Sequence, residues 1–332
     1  MTSSTNAHNS AFTIDKISPS AFYQRRRRVP PLPRAARLSP EAFVDHYVIP
    51  RTPVIVTDEV TRWPAFHRWT WDYLINLLGD QIVDVYGDWF TSAFTTTFAA
   101  FAAANVLAAP ITDYRYVRWF SRNRPGTGPW ADAAFAALSD DWHAPLLFPS
   151  TGYAVPPVMP PRTIDPTIDP LPYRGLFVSG VGARTRLHVD PWMSSALLCN
   201  VVGTKYLTMW SPESHDTLLR FSERGASGEL SGVAPTFTDT LHPGEMLFIP
   251  AGWWHEVDTA SSSVSITWNF VHQSHGELLR DYIVKFPNDP EIDVLDYFLD
   301  GSHAHDIHAQ RAATSSCAPA DYMTTGGIWP KP

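Results

Sequence analysis

The chain has 332 residues, 44% hydrophobic and 17% charged, which is enough apolar material for a sizeable core and excludes a disordered chain. Its formal net charge is −8, from 25 basic and 33 acidic residues, a balance that argues against general affinity for nucleic acid or an anionic membrane. The 30 prolines predict many turns and few long helices, and the two cysteines, Cys199 and Cys317, supply no disulfide framework.

The opening MTSSTNAHNSAFTIDKI lacks the charged start and apolar run of a secretory signal, and no stretch of ~20 apolar residues spans a membrane. Together with the sparse cysteines this leads us to expect a cytoplasmic protein. Residues 1–38 read as a polar, then basic, partly disordered leader, with RRRR at Arg25–Arg28 as a solvated run. SPEAFVDHY then starts a helix: Ser39 can cap, Pro40 suits the first helical position and Glu41 the first turn. PVIVTD is a β-branched run and reads as a strand, WTWDYLINLLGD as a helix ending at Gly79, and QIVDVYG as the next strand. TTTFAAFAAANVLAAP, Thr95–Pro110, reads as one Ala-rich helix, and DYRYVRWF as a strand. VPPVMPPRTIDPTIDPLP is a linker or ordered loop.

From Gly175 to Val271 strand signals follow one another: GLFVSGV, TRLHVD, SALLCNVVG, KYLTMWSP, EMLFIPAG, HEVDTA and SVSITWNF. Short strands punctuated by Gly, Pro and Asp, with no helical period between them, predict an antiparallel barrel or double-sheet jelly roll. GELLRDYIVKF and EIDVLDYFL read as C-terminal helices.

Within this barrel pattern, LHVD sets His188 and Asp190 two apart, hence on one face of a strand. An ionised carboxylate on an inward face is costly unless paired or metal-bound. GWWHEV adds His255 at the head of a later strand, completing two histidines and one carboxylate, the set that non-haem Fe(II) oxygenases use with coordination positions left open. Lys205 shares a strand face with Leu207 and Met209, so its charge calls for an anion, and Thr267 and Asn269 alternate with apolar neighbours and are expected to point inward. Trp192 lies two residues after Asp190, and Trp253 and Trp254 precede His255; they read as ordinary barrel core or rim, with pocket walls as the alternative. Arg184 and Arg186 read as solvated strand residues.

LHVDPWMSSALLCNVVGTKYLTMWSP, together with EMLFIPAGWWHEVDTASSSVSITWNF, resembles the JmjC and cupin-like Fe(II)- and 2-oxoglutarate-dependent dioxygenases. SPEAFVDHYVIPRTPVIVTDEVTRWPAFHRWTWDYL is similar to the segment that precedes the barrel in that family, so the resemblance covers roughly residues 38–275. It implies a mostly β fold, a double-stranded β-helix of the cupin/JmjC jelly-roll type with N-terminal α/β elements and C-terminal helices. The domain division it implies is a leader at 1–38, a catalytic domain at 39–275, and helices and tail at 276–332.

By the same resemblance His188, Asp190 and His255 would bind Fe(II), and Lys205 would pair with the distal carboxylate of the co-substrate 2-oxoglutarate. Thr267, Thr185 and Tyr116 match positions that touch that co-substrate in relatives. One departure stands out: the family often carries asparagine ten residues after the first histidine, where this chain has Leu198, and Asn200 on the same strand face is expected to replace it. The implied function is an O2-consuming hydroxylase acting on an amino-acid side chain of a protein or peptide. A small-metabolite hydroxylase is the alternative, and N-demethylation would use the same oxidant. A non-catalytic ligand-binding cupin and a zinc hydrolase also stay open, the latter without any HExxH pairing. No nucleic-acid or membrane partner is expected, and a homodimer through the C-terminal helices is an open alternative to a monomer.

Overall fold

The computed structural model describes residues 29–87, 92–111, 114–121, 128–157, 173–222, 231–289 and 295. Arg25–Arg28, the TIDP repeat and, apart from Leu295, the helix expected in EIDVLDYFL lie outside the described residues. No helix among the described residues is long and apolar enough to cross a membrane.

The N-terminal part alternates short strands and helices. Strand β1 (Arg34–Ala35) runs parallel to β2 (Val54–Val56), so residues read as leader join the sheet. Between them lies α1 (Pro40–Phe43), continued by one π turn at Val44–Val48; Ser39 caps it by accepting from the Ala42 amide, as its position predicts. Helices α2 (Ala65–Arg68) and α3 (Trp71–Leu78) follow, the second capped by Thr70 and ending at Gly79. Strands β3 (Ile82–Tyr86) and β4 (Ser92–Thr97) pair antiparallel. The Ala-rich helix expected from Thr95 begins only at Phe98: α4 is Phe98–Asn105, because Thr97 ends β4 and caps the helix through the Ala100 amide. Strand β5 (Tyr116–Phe120), helix α5 (Asp132–Ala137) and strand β6 (Tyr153–Val155) complete this part.

The barrel strands are β7 (Arg174–Ser179), β8 (Arg184–His188), β9 (Ser195–Val202), β10 (Lys205–Trp210), β11 (Phe237–Leu241), β12 (Met246–Ile249), β13 (Trp254–Thr259) and β14 (Ser263–His272). All seven expected strands are present. The structure adds β11, whose polar sequence hid it, and helix α6 (His215–Ser222) between β10 and β11, where no helical period was read. Helix α6 has only two turns and buries just Leu218 and Ser222, too little for a periodic signal. The C-terminal helix α7 is Gly276–Lys285.

Two sheets result. The larger has ten strands in the order β1-β2-β12-β9-β14-β7-β5-β3-β4, with β6 also on β14; the smaller is β11-β10-β13-β8. This is the expected mostly β, jelly-roll-like architecture with N-terminal α/β elements. Side chains of the large sheet alternate between two buried faces. Leu197, Cys199, Val117, Trp119, Ile266, Trp268 and Phe270 meet Phe43 and Phe98 from the N-terminal helices and Trp63 from the segment before α2. Their strand neighbours Leu198, Tyr116, Arg118, Thr267 and Asn269 point the other way, into a cavity between the sheets. Burial on both faces is why SALLCNVV reads as a continuous apolar run rather than an alternating one.

Candidate metal centre

His188 ends β8 and His255 is second in β13, and the register of this antiparallel pair sets the two histidines directly opposite each other. Their ring centroids are 4.0 Å apart. Asp190 lies just beyond the end of β8, before a 3-10 turn at Pro191–Met193, so LHVD is strand only as far as the histidine. The three side chains each offer one ligand atom, and these atoms lie within 4.8 Å of one another. Among the described residues no other group of histidine, cysteine and acidic side chains is so arranged.

Each imidazole is held by the backbone two residues before it. His188 Nδ1 is 2.6 Å from the Arg186 carbonyl, and His255 Nδ1 is 3.1 Å from the Trp253 carbonyl. A carbonyl accepts only from a protonated nitrogen, so both rings carry the proton on Nδ1 and the lone pair on Nε2, the form a metal takes. Burial, then the neighbouring His255, holds His188 well below the usual histidine range, which keeps it neutral. Burial raises the Asp190 carboxyl, while His255, a hydrogen bond from Asn269 and the charge of Arg118 draw it back down. Asn269 Nδ2 also donates to Ser194 Oγ at 2.9 Å, fixing that amide. Asp190 Oδ2 is buried with no hydrogen-bond partner among the described residues. A buried carboxylate oxygen with nothing to accept from, beside two Nε2 lone pairs, fits a divalent cation. Two nitrogens and one oxygen donor leave further coordination positions open, as iron chemistry with a co-substrate and O2 requires.

The loop carrying Asp190 is strained. Trp192 and Met193 adopt φ of 47° and 57°, left-handed backbone that costs a non-glycine residue about 1–2 kcal/mol each. The Trp192 ring is fully buried in a cluster with Tyr173 and with Leu279, Tyr282 and Ile283 of α7, so packing of the C-terminal helix holds the metal loop in place.

The cavity beside the triad encloses about 690 Å³ including its open mouth. Lys205, Thr267, Thr185 and Tyr116 all line it, so four of the five residues singled out for the co-substrate are brought to one site with the triad. Lys205 is 4% exposed, and burial pushes its ammonium down to about 8. No carboxylate pairs with it among the described residues, and Thr267 Oγ1 is likewise buried without a hydrogen-bond partner. A cation and a hydroxyl buried in this way suit an anionic ligand.

The fifth residue, Asn200, does not belong here. Its Nδ2 donates to the Gly203 carbonyl at 2.7 Å and its Oδ1 accepts from Ser265 Oγ at 2.9 Å, while Leu198 faces the cavity. Asn200 instead braces the β9–β10 turn, where Gly203 at φ 75° passes so close to Ser262 that a Cβ would stand 2.2 Å from its carbonyl oxygen. Trp192, Trp253 and Trp254 are not cavity walls either. Trp254 is one residue before His255 and so points away from the cavity, packing with Leu187, Trp210 and Leu218; Trp253 stacks on Phe237. The aromatic wall is Tyr116, Phe120, Tyr173 and Phe177. Arg184 pairs with the buried Glu256 at 2.9 Å and is structural. Sequence reasoning missed Arg118, which lines the cavity between Tyr116 and Phe120 on the inward face of β5. Strand alternation in YVRWF was the signal that could have found it.

A model of the family described as "Cupin-like domain" matches residues 40–276. The chain is 23% identical to an arginine-specific demethylase of Arabidopsis thaliana over 279 residues, which are 78% of this chain and 49% of that protein. It is 26% identical to a lysine-specific demethylase of the same plant over 251 residues, 70% of this chain and 53% of the relative. A 2-oxoglutarate and iron-dependent oxygenase of Gallus gallus is 23% identical over 256 residues, 69% of this chain and 57% of the relative. The chain therefore spans about half the length of the curated relatives it matches.

Proposed function

The chain belongs to the cupin-like domain family, and on that premise we propose that it is an Fe(II)- and 2-oxoglutarate-dependent oxygenase that hydroxylates a C–H bond of an amino-acid side chain in a protein or peptide. The observation that carries this reading is the triad beside a buried, anion-seeking lysine: three ligand atoms within 4.8 Å of one another, in the same cavity as Lys205. The names of relatives, among them 2-oxoglutarate and iron-dependent oxygenases, support it.

In this reading His188, Asp190 and His255 hold the metal, and Asn269 keeps the Asp190 carboxylate turned toward it. Lys205 binds the distal carboxylate of 2-oxoglutarate as a buried point charge, and Thr267 Oγ1, Thr185 and Tyr116 position the co-substrate around it. Bound Fe(II) with 2-oxoglutarate supplies the activation of O2, the co-substrate leaving as succinate and CO2 while one oxygen atom enters the substrate. Leu198 and the aromatic wall exclude bulk water from the reacting groups. The same site chemistry serves N-demethylation, the activity named for several relatives. Lys205 and Thr267, buried beside the triad, argue against a non-catalytic cupin.

The test is succinate formation after anaerobic loading with Fe(II) and addition of O2, with and without peptides. Succinate that depends on iron, O2 and His255 supports the proposal. Absence of succinate from iron-loaded protein with every peptide and metabolite extract offered would overturn it.

A further inference from the structure

Resting on the reading of the triad as the metal centre of an oxygenase, the turn behind Asp190 has a role of its own. Pro191–Ser194 closes on a hydrogen bond from the Ser194 amide to the Pro191 carbonyl at 2.9 Å, with both central residues, Trp192 and Met193, in left-handed backbone. Turns of that shape ordinarily take glycine, asparagine or aspartate at those positions. Here the first of them carries an indole, and it is 0% exposed. Backbone strain of this kind persists only where the surroundings enforce it. What enforces it is packing on the Trp192 ring from two sides. The Tyr173 ring meets it edge to face, with centroids 5.3 Å apart at 85°. Leu279, Tyr282 and Ile283 of α7 pack in the same cluster. Both supports are themselves fixed. The Tyr173 carbonyl accepts from the Asn269 amide at 2.9 Å, and the Tyr282 hydroxyl donates to the buried Asp289 carboxylate. The Trp192 indole nitrogen makes no hydrogen bond among the described residues, so shape rather than polarity seats the ring. Met193 adds a second hold: its Cε stands 3.6 Å from where a Cβ on Gly252, three residues before His255, would lie.

We propose that Trp192 is a positioning residue for the metal: its ring, seated between Tyr173 and α7, holds the turn left-handed and so keeps the Asp190 carboxylate beside the two histidines. His188 and His255 need no such help, because each belongs to a strand and bonds to the backbone carbonyl two residues before it. Asp190 lies beyond the end of its strand, so its place depends on the turn that follows. The dependence is therefore selective. Loosening the ring releases the oxygen donor and leaves the two nitrogen donors where they are.

The test measures metal affinity rather than turnover, in the full chain, with Mn(II), which favours oxygen donors, and Cu(II), which imidazole suits. Free Mn(II) is read from its electron paramagnetic resonance signal and Cu(II) by competition with a chelator. Trp192→Gly suits the left-handed backbone and removes only the ring. It should weaken Mn(II) by ~10–100-fold, the scale of losing a group that orients a ligand, with a loss for Cu(II) smaller by about tenfold. Trp192→Phe keeps a ring without the unused N–H and should hold both metals close to wild type. Ile283→Ala opens the same cluster from α7 with Trp192 in place, and the same preferential loss of Mn(II) is expected. Unchanged Mn(II) affinity in Trp192→Gly, equal losses for the two metals, or loss of Mn(II) in Trp192→Phe would overturn the assignment. If the glycine variant fails to fold, unchanged Mn(II) affinity in Ile283→Ala overturns it instead. Failure of the wild type to bind either metal would remove the triad and the oxygenase reading with it, whereas normal wild-type binding with no effect of the variants removes this inference alone.

Discussion

The two sheets that face each other across the cavity are built differently. The small sheet contributes His188 and His255 from adjacent strands and Lys205 from the next, all buried and polar and all lining the cavity. Strands β5 and β7 of the large sheet contribute Tyr116, Arg118, Phe120 and Phe177, an aromatic surface around one cation. The first wall is tied down: each histidine is anchored to a backbone carbonyl, and Lys205 follows a turn braced by Asn200 and Gly203. The second wall has side chains that shape space rather than coordinate. In the proposed reading, a fixed side and a shaped side facing it would separate the reaction from the choice of substrate.

The largest expected effect breaks the chemical wall outright. Substitution of His188, Asp190 or His255 by alanine should abolish metal uptake and succinate formation, a loss beyond the ~10–100-fold typical of outer-shell changes. Metal analysis of the purified variants checks this, and near-normal iron content in any of them contradicts the triad.

Lys205→Met separates binding from folding. Loss of the charge proposed to pair with the co-substrate should weaken 2-oxoglutarate about 100-fold, the scale of a buried charged hydrogen bond at ~2–3 kcal/mol. The ligand-free protein should nevertheless melt higher. An ammonium held at about 8 rather than its ordinary 10.5 costs the fold about 3 kcal/mol while it is charged. Thermal melts with and without 2-oxoglutarate read both effects; a lower melting temperature in the ligand-free variant would show that Lys205 already has a stabilising partner.

Asn269→Ala sharpens the contrast at its boundary, since this large-sheet residue holds a ligand of the metal. Metal affinity should fall ~10–100-fold with the fold intact, while 2-oxoglutarate binding at saturating metal stays near normal. Competition between the protein and a chelator measures it.

The smallest effect is in pH. Lys205 is depressed in the empty protein, so it is charged below about 8 and loses its proton above. Affinity for 2-oxoglutarate should be level below that pH and weaken by up to about tenfold per unit above it, with proton uptake on binding there. In Lys205→Met this dependence should vanish. The fold itself runs the opposite way: the unfolded chain binds more protons at this residue between about 8 and 10.5, so its contribution to stability rises with pH across that window.

Most of the chemical wall was legible in the sequence. LHVD and GWWHEV place the candidate ligands at strand ends within a few residues, and Lys205 follows a glycine turn, so short-range patterns carry the information. Strand alternation also predicted that Thr267 and Asn269 point inward, as they do. The failures have physical causes. Asn200 is on the right kind of face, but period two gives a face and not a depth along the barrel; the β-bulge between Val264 and Ser265 and the bond to Gly203 place its amide at the turn. Trp254 is core, the reading preferred from the sequence over a pocket wall, because adjacent residues on a strand point to opposite sides and His255 takes the inward one. Arg118 belongs to a strand about 70 residues upstream of His188, and only the pairing of β5 with β7 brings it to the cavity. Alternation in YVRWF gives the face that Arg118 shares with Tyr116, but the long-range pairing that turns this face to the cavity leaves no local trace.

The most direct test of the central claim is an anaerobic calorimetric titration of 2-oxoglutarate into the protein with and without Fe(II). One site per chain is expected that needs the metal, weakens sharply in Lys205→Met and disappears in His255→Ala. Equal binding with and without metal, or none in the iron-loaded wild type, would contradict it.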